Sequence, residues 1–264
     1  MTNSAPDDDP LFLSDLTWVE AREVLDVDCI VLLPVGAIEA HGPHLPLDTD
    51  VIIAVETARR AAVRLRARDR SSIVVPAIAY GVSYVGGPFA GTIPAASAIV
   101  STLVEQVIAG VAAFGPRRFA VANAHLEPAH IEAVRQGAER AAVRAGVAVV
   151  VPDQREPRWA ATLSDEFRRG SRHAGSYETS LVLAAAPHKV RTHLLPALPA
   201  VWIDLPGKLR AGARTFADAG GTEAYFGDPA RATAAEGERL FDALATMIEL
   251  SIFELDQTSP ERPR

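Results

Sequence analysis

The sequence predicts an α/β fold, a mostly parallel sheet covered on both faces by helices. Three observations carry this. Short unbroken runs rich in Val, Ile and Leu recur at 29–35, 72–76, 119–123 and 147–151, the pattern of strands buried on both faces. Longer segments with helical periodicity separate them, at 51–66, 99–111 and 131–144,. Strand and helix alternate, which lays successive strands parallel through helical crossovers.

Each element has its own warrant. The first strand opens on Cys29-Ile30-Val31-Leu32-Leu33, too short and too apolar for a surface helix,. The helix at 51–66 follows a Leu47-Asp48-Thr49 turn, with Asp50 placed to cap it,. The helical segment 99–111 carries a wide apolar stripe: Ile99, Val100, Leu103, Val104, Val107, Ile108 and Val111. Near the C-terminus Leu240, Leu244, Met247, Ile248 and Ser251 form another,. Residues 196–230 are rich in Pro and Gly and read as a long surface excursion or a subunit contact,. There is no internal repeat and no linker. One domain is expected over 11–256, with flexible tails at 1–10 and 257–264,.

Composition narrows the function classes. The chain has 264 residues, 48% hydrophobic and 22% charged, with a net charge of −7. Its Lys and Arg are scattered, whereas a nucleic-acid surface needs a concentrated basic patch. With a single cysteine, Cys29, there is no internal disulfide and no Cys-based zinc site; Cys29 reads as a small buried hydrophobe,. No apolar run reaches the roughly 18 residues that span a bilayer. The first ten residues carry Asp7-Asp8-Asp9 and lack the basic start and apolar stretch of a signal peptide, so a cytoplasmic location is expected,.

The segment 34–50, Pro-Val-Gly-Ala-Ile-Glu-Ala-His-Gly-Pro-His-Leu-Pro-Leu-Asp-Thr-Asp, is the most informative. Its Gly and Pro forbid a regular helix, yet it gathers histidines and acids. His and carboxylate are ligands for Zn, Mn and similar ions. Glu39-Ala40-His41 and His125-Leu126-Glu127 share one spacing, and in extended backbone residues i and i+2 face one side,. Both pairs follow predicted strands, whose C-terminal ends are where ligands bind in such sheets. Asp50 returns to the same place through the Gly-Pro loop. Three crowded carboxylates would repel one another. Two divalent ions relieve this, and an aspartate bridging them suits a separation of about 3.5–4 Å. The ligand types admit Zn or Mn.

These motifs resemble the creatininase (creatinine amidohydrolase) family. The likeness rests on 34–50, Gly-Thr-Ile at 91–93, Asn-Ala-His-Leu-Glu at 123–127 and His-Ala-Gly-Ser-Tyr-Glu-Thr-Ser at 173–180, and covers about the first 190 residues. The resemblance implies a three-layer α/β/α sandwich, a homo-oligomer with a hexamer favoured, and a dinuclear centre with Zn and often Mn. By motif position, Glu39 and His125 would hold one ion, His41 and Glu127 the other, and Asp50 would bridge. His173 matches a histidine near the substrate, a proton-transfer candidate, and Glu178 an acid that orients that region. Ser83 falls where the family has a substrate-loop serine. The chain also departs from the pattern. Leu126 stands where creatininase has an aromatic, and the Glu-His pair that many members carry after the loop serine is missing. The aromatic-rich segment before the late histidine is replaced by Phe167-Arg168-Arg169-Gly170-Ser171-Arg172. The metal site reads as kept and the substrate pocket as rebuilt, so creatinine is not the expected substrate.

The expected chemistry is hydrolysis of a C–N bond in a small amide or cyclic amide by metal-activated water, with His173 as proton donor to the leaving nitrogen. Alternatives are a maturation peptidase acting on a small ribosomal peptide, ring opening of a cyclic ketone or lactone, and a silent metal-binding scaffold. Leu126 and Arg172 are expected to touch the substrate, Arg172 through forked hydrogen bonds to an anion if it is not merely part of a solvated face with Arg168 and Arg169. His44 reads as a brace for its loop. His130, His188 and His193 have no assigned role. Trp159 and Tyr84 read equally as packing residues or as stacking partners for a planar substrate.

Overall fold

The computed structural model describes residues 11–258. In chain order, α1 (Trp18–Val24) leads to β1 (Ile30–Val35), α2 (Thr49–Arg66), β2 (Ser72–Val74), α3 (Ser97–Ala112), β3 (Arg118–Asn123), α4 (Pro128–Ala145) and β4 (Ala148–Val150). Then come the short α5 (Pro157–Ala160) and α6 (Asp165–Arg168), α7 (Ser176–Ala185), the short α8 (Leu205–Arg210) and α9 (Phe216–Ala219), and the long α10 (Ala234–Thr258). The four strands are parallel in the order β2-β1-β3-β4. This is the expected α/β sandwich with helices on both faces.

Period-two alternation divides β1 between two cores. Ile30 and Leu32 pack with α2, α7 and α10, beside Leu65, Leu181, Phe241 and Ile248. Val31, Leu33 and Val35 pack with α3 and α4, beside Val104, Ile108, Val134 and Ala138. Because both faces are covered, the strand reads as one apolar run with no polar interruption. The α3–α4 contact is close: a Cβ on Gly137 would stand 2.4 Å from the Ser101 carbonyl oxygen, so only glycine fits there.

The strand order reverses beside β1. The chain leaves β1 for β2 on one side, then crosses back to β3 on the other. Ligands bind at such switch points, past the C-terminal strand ends. In register, Val35 and Asn123 are partners, and the Ala124 N–H donates to the Val35 carbonyl at 3.0 Å. The loops carrying Glu39–His41 and His125–Glu127 therefore leave the sheet side by side.

Some boundaries differ from expectation. β2 and β4 are each three residues, since Val75–Pro76, Val147 and Val151 lie outside the ladder. α2 starts at Thr49, so Asp50 sits inside its first turn instead of capping it; Asp48 occupies the cap position. Helix α7 had no expected counterpart, because it is buried nearly all round from Tyr177 to Val182 and shows no amphipathic stripe. α10 takes in 257 and 258, which were expected to belong to a tail; the expected tail 1–10 and residues 259–264 lie outside the described residues. Residues 196–230, expected as a surface excursion or a subunit contact, contribute a packed core of their own. Leu205, Phe216, Ala219, Ala224 and Phe226 pack with Ala40 into a third small core above the ligand loops. Among the described residues no helix is long and apolar enough to cross a membrane.

Candidate metal centre

Glu39, His41, Asp50, His125, His173 and Glu178 converge at this sheet edge, and all are buried. Their ligand atoms form three groups, each lying within 4.8 Å of one another: Glu39, Asp50 and His125; His41, Asp50 and Glu178; Glu39, His41 and His173. Asp50 belongs to the first two. The first turn of α2 presents its carboxylate between two imidazoles, with Oδ2 3.0 Å from His125 Nδ1 and Oδ1 3.3 Å from His41 Nε2.

The far nitrogen of each imidazole is tied to a backbone carbonyl, which only accepts. His41 Nδ1–H donates to the Glu39 carbonyl at 2.9 Å, and His125 Nε2–H to the Val82 carbonyl at 2.8 Å. Both rings are thereby turned with the other nitrogen toward the carboxylates, the arrangement that orients metal-binding histidines. His173 Nε2–H likewise donates to the Ala40 carbonyl at 2.8 Å, leaving Nδ1 3.9 Å from Glu39 Oε2. Glu178 Oε2 accepts the Ala174 N–H at 2.6 Å and lies 3.6 Å from His41 Nε2. That turn places Ala174 at φ +52°, a left-handed conformation that is costly outside glycine. Gly86 closes over Glu39, where a Cβ would fall 2.5 Å from Oε1.

The electrostatics call for cations. Both oxygens of Glu39, His41 Nε2 and Asp50 Oδ2 are buried without a hydrogen-bond partner, a costly condition for polar groups. Burial alone would push the His41 imidazolium down, but Asp50, with Glu178 and Glu39 behind it, raises it to about 10. His125 follows the same course: burial opposes, Glu39 and Asp50 prevail, and it also reaches about 10. Burial raises Glu39 to about 7 against the pull of His125 and His41, and Glu178 to about 8 against that of His41. Burial would raise Asp50 too, but His41 and His125 hold it far below the usual carboxylate range. Burial, reinforced by His41, pushes His173 well down. A site that retains protons this strongly has excess negative potential, which divalent ions satisfy.

The other expected site residues are placed as follows. Glu127 lines the cleft, is only half-buried, and joins none of the three ligand groups; its Oε2 accepts the Val85 N–H at 3.1 Å. Glu178, expected to orient its region, stands among the possible ligand atoms beside His41. Leu126 and Arg172 line the same cleft, with Leu205, Leu209 and Phe216 from the 196–230 segment. The Phe216 ring lies 4.2 Å, centroid to centroid, from His173. Ser83 is not among the lining residues; it is fully buried and its hydroxyl points to the Gly81 carbonyl at 3.4 Å. Trp159 packs in the core, Tyr84 is exposed away from the cleft lining, and Cys29 is buried. Arg168 pairs with Asp165 on the surface. His188 and His193 are exposed.

Two histidines brace the centre. His44 Nε2 meets Thr179 Oγ1 at 2.9 Å, joining the ligand loop to α7. His130, left without a role by the sequence, is fully buried. Its Nδ1 accepts the Val82 N–H at 3.1 Å, so its Nε2–H donates to Asn123 Oδ1 at 3.0 Å. Asn123 in turn donates to the His125 carbonyl at 2.8 Å. The backbone of one residue, Val82, thus grips His125 through its carbonyl oxygen and His130 through its N–H. Position 130 falls in the first turn of a helix starting next to Glu127, the only signal that hinted at this.

The chain is similar to known proteins. The family model described as creatininase, creatinine amidohydrolase, matches residues 14–251. The mycofactocin precursor peptide peptidase of Mycobacterium tuberculosis is 34% identical over 224 residues, covering 81% of this chain and 80% of that protein. The creatinine amidohydrolase of Pseudomonas putida is 30% identical over 196 residues, covering 68% of this chain and 74% of that protein. Among solved structures, "Creatininase Mn" superposes with a TM-score of 0.73 at 27% identity, over 93% of this chain and 98% of that one.

Proposed function

This chain belongs to the creatininase family, and from that premise we propose that it is a metal-dependent amidohydrolase that cuts an amide bond in a peptide-like substrate. The observation that carries the reading is Asp50, shared between two groups of buried ligand atoms, of which both Glu39 oxygens, His41 Nε2 and Asp50 Oδ2 lack hydrogen-bond partners. Glu39, Asp50 and His125 would hold one divalent ion, and His41, Asp50 and Glu178 the other. The imidazole and carboxylate donor set suits Zn or Mn. When bound, such ions supply Lewis acidity, which lowers the pKa of water and polarises a carbonyl.

The fit rests on lone pairs. With His125 Nε2–H committed to Val82, a neutral ring turns a lone pair at Asp50 Oδ2 only 3.0 Å away. The same holds for His41 Nε2 and Asp50 Oδ1. These contacts are stable only with a proton or a cation between them.

His173 then moves the proton. Burial keeps it neutral near pH 7, and its Nε2–H is held by Ala40, so Nδ1 is free to accept. The sequence pointed to it as the proton donor to the leaving nitrogen. The geometry supports a two-stage role: Nδ1 takes the proton from attacking water, then delivers it to the amide nitrogen as the C–N bond breaks. The products are a carboxylate and an amine. Phe216 covers the ring and limits water around it.

A peptide-like substrate is favoured by the peptidase relatives, of which that from Mycolicibacterium smegmatis is 31% identical over 98% of this chain and 98% of its own length. A small cyclic amide is the second reading, favoured by the small volume of the inner chamber, about 50 Å³. Metal-stripped protein reconstituted with Zn or Mn should hydrolyse members of a peptide panel and leave small lactams intact. His173→Gln should lower turnover by about 10²–10⁴ while keeping its metal. Full turnover in His173→Gln would remove its assigned role, and cleavage of lactams alone would favour the second reading.

A further inference from the structure

The metal chamber opens onto a larger hollow. At about 50 Å³ the chamber holds a reacting group and a few waters,. Leu126, Arg172, Leu205 and Leu209 line it and also line an outer groove of about 360 Å³. Pro128 and Pro206 extend the apolar wall of that groove. A substrate reaching the chamber therefore has room to trail an apolar chain outward.

The charges in the groove are not equally committed. Asp153 is held by Arg155 at 2.7 Å and by Arg135 at 2.8 Å. Glu156 pairs with Arg158 at 3.3 Å. Arg172 stacks on Phe167, with its guanidinium carbon 4.5 Å from the ring centroid, and its Nε–H donates to the Phe167 carbonyl at 2.8 Å. These contacts fix the stem and one edge of the fork. The terminal nitrogens have no carboxylate partner among the described residues. A planar, pre-oriented pair of N–H donors matches a carboxylate.

We infer that Arg172, at the neck between chamber and groove, binds a carboxylate of an extended apolar substrate whose cut amide lies in the chamber. This names a substrate class within the amidohydrolase reading and rests on it.

The test uses an apolar, Leu-rich pentapeptide labelled with fluorescein at its N-terminus, made as the free acid and as the C-terminal amide. Each is titrated against protein as purified by fluorescence anisotropy, and cleavage is followed on the same mixtures by mass spectrometry. Wild type should bind the acid about ten- to a hundredfold more tightly than the amide. Arg172→Gln should lose that preference, Arg172→Lys should retain part of it, and the distant Arg144→Gln should keep it whole. Equal binding of acid and amide by wild type, binding of neither, or an undiminished preference in Arg172→Gln would overturn the inference. The wild-type comparison stands even if a variant fails to fold. An acid preference without cleavage would support this inference and count against the hydrolase reading alone; cleavage without an acid preference would do the reverse.

Discussion

Asp50 Oδ2 lies 3.0 Å from the Nδ1 of His125, whose other nitrogen already donates to a carbonyl. In the absence of metal that contact needs a proton on Nδ1, and metal binding must expel it. His41 is in the same position against Asp50 Oδ1. Below about pH 10 both rings hold protons, and Glu39 and Glu178 hold theirs up to about 7 and 8. Metal affinity should therefore rise with pH, by up to about tenfold per pH unit for each proton displaced. Calorimetry in buffers of different ionisation enthalpy should show net proton release on Zn binding; buffer-independent heats would contradict this.

The same protons set the stability of the metal-free protein. His41 and His125 are raised from 6.5 to about 10. Their contribution is fully present below pH 6.5 and is lost as pH climbs through about 10. Glu39 and Glu178, raised from 4.5 to about 7 and 8, lose theirs between pH 4.5 and 8, in the same direction. Metal-stripped protein should melt at progressively lower temperature as pH rises from about 6.5 to 10, and metal-loaded protein should be much less sensitive. A metal-stripped melting temperature that rises over this window would refute the assignment.

His130→Ala should cost about 2–3 kcal/mol of stability, because it strands the buried Val82 N–H and Asn123 Oδ1 and leaves a cavity,. No proposed metal ligand is removed, yet metal affinity should fall about 10–100-fold as His125 loses its orientation. Thermal melts and competition with a metal chelator measure the two effects. A loss of stability with unchanged affinity would make His130 a core residue only.

Phe216→Ala removes a ring that packs on His173 and Phe226. A buried Phe→Ala change costs on the order of 3 kcal/mol. If the 196–230 segment is the roof of the site, turnover on the best peptide should drop with the metal content intact. Unchanged turnover would make the segment a scaffold with no part in the chemistry.

The layers and the metal motifs were legible in the sequence for physical reasons. A strand buried on both faces, such as Ile30–Val35, has to be apolar throughout. Glu39, His41, Asp50 and His125 lie in two short stretches whose spacing places them together. Other features depend on contacts distant along the chain. Glu178 meets His41 only because α7 packs under the sheet edge, and Phe216 meets His173 only through a third core with no local periodicity. Asp50 was mistaken for a cap because its helix starts two residues earlier than the pattern showed. Ser83 was matched by position in its loop, but its hydroxyl faces the Gly81 carbonyl instead of the cleft.

The central claim is that Asp50 joins two metal positions. The direct measurement is elemental mass spectrometry on protein purified without added metal and after reconstitution, for wild type and Asp50→Asn. Wild type should carry about two equivalents of Zn or Mn, as expected of a two-metal hydrolytic site, and the variant, with the shared oxygens altered at nearly constant shape, should lose both. One equivalent or less in reconstituted wild type, or undiminished metal in Asp50→Asn, would contradict the dinuclear account.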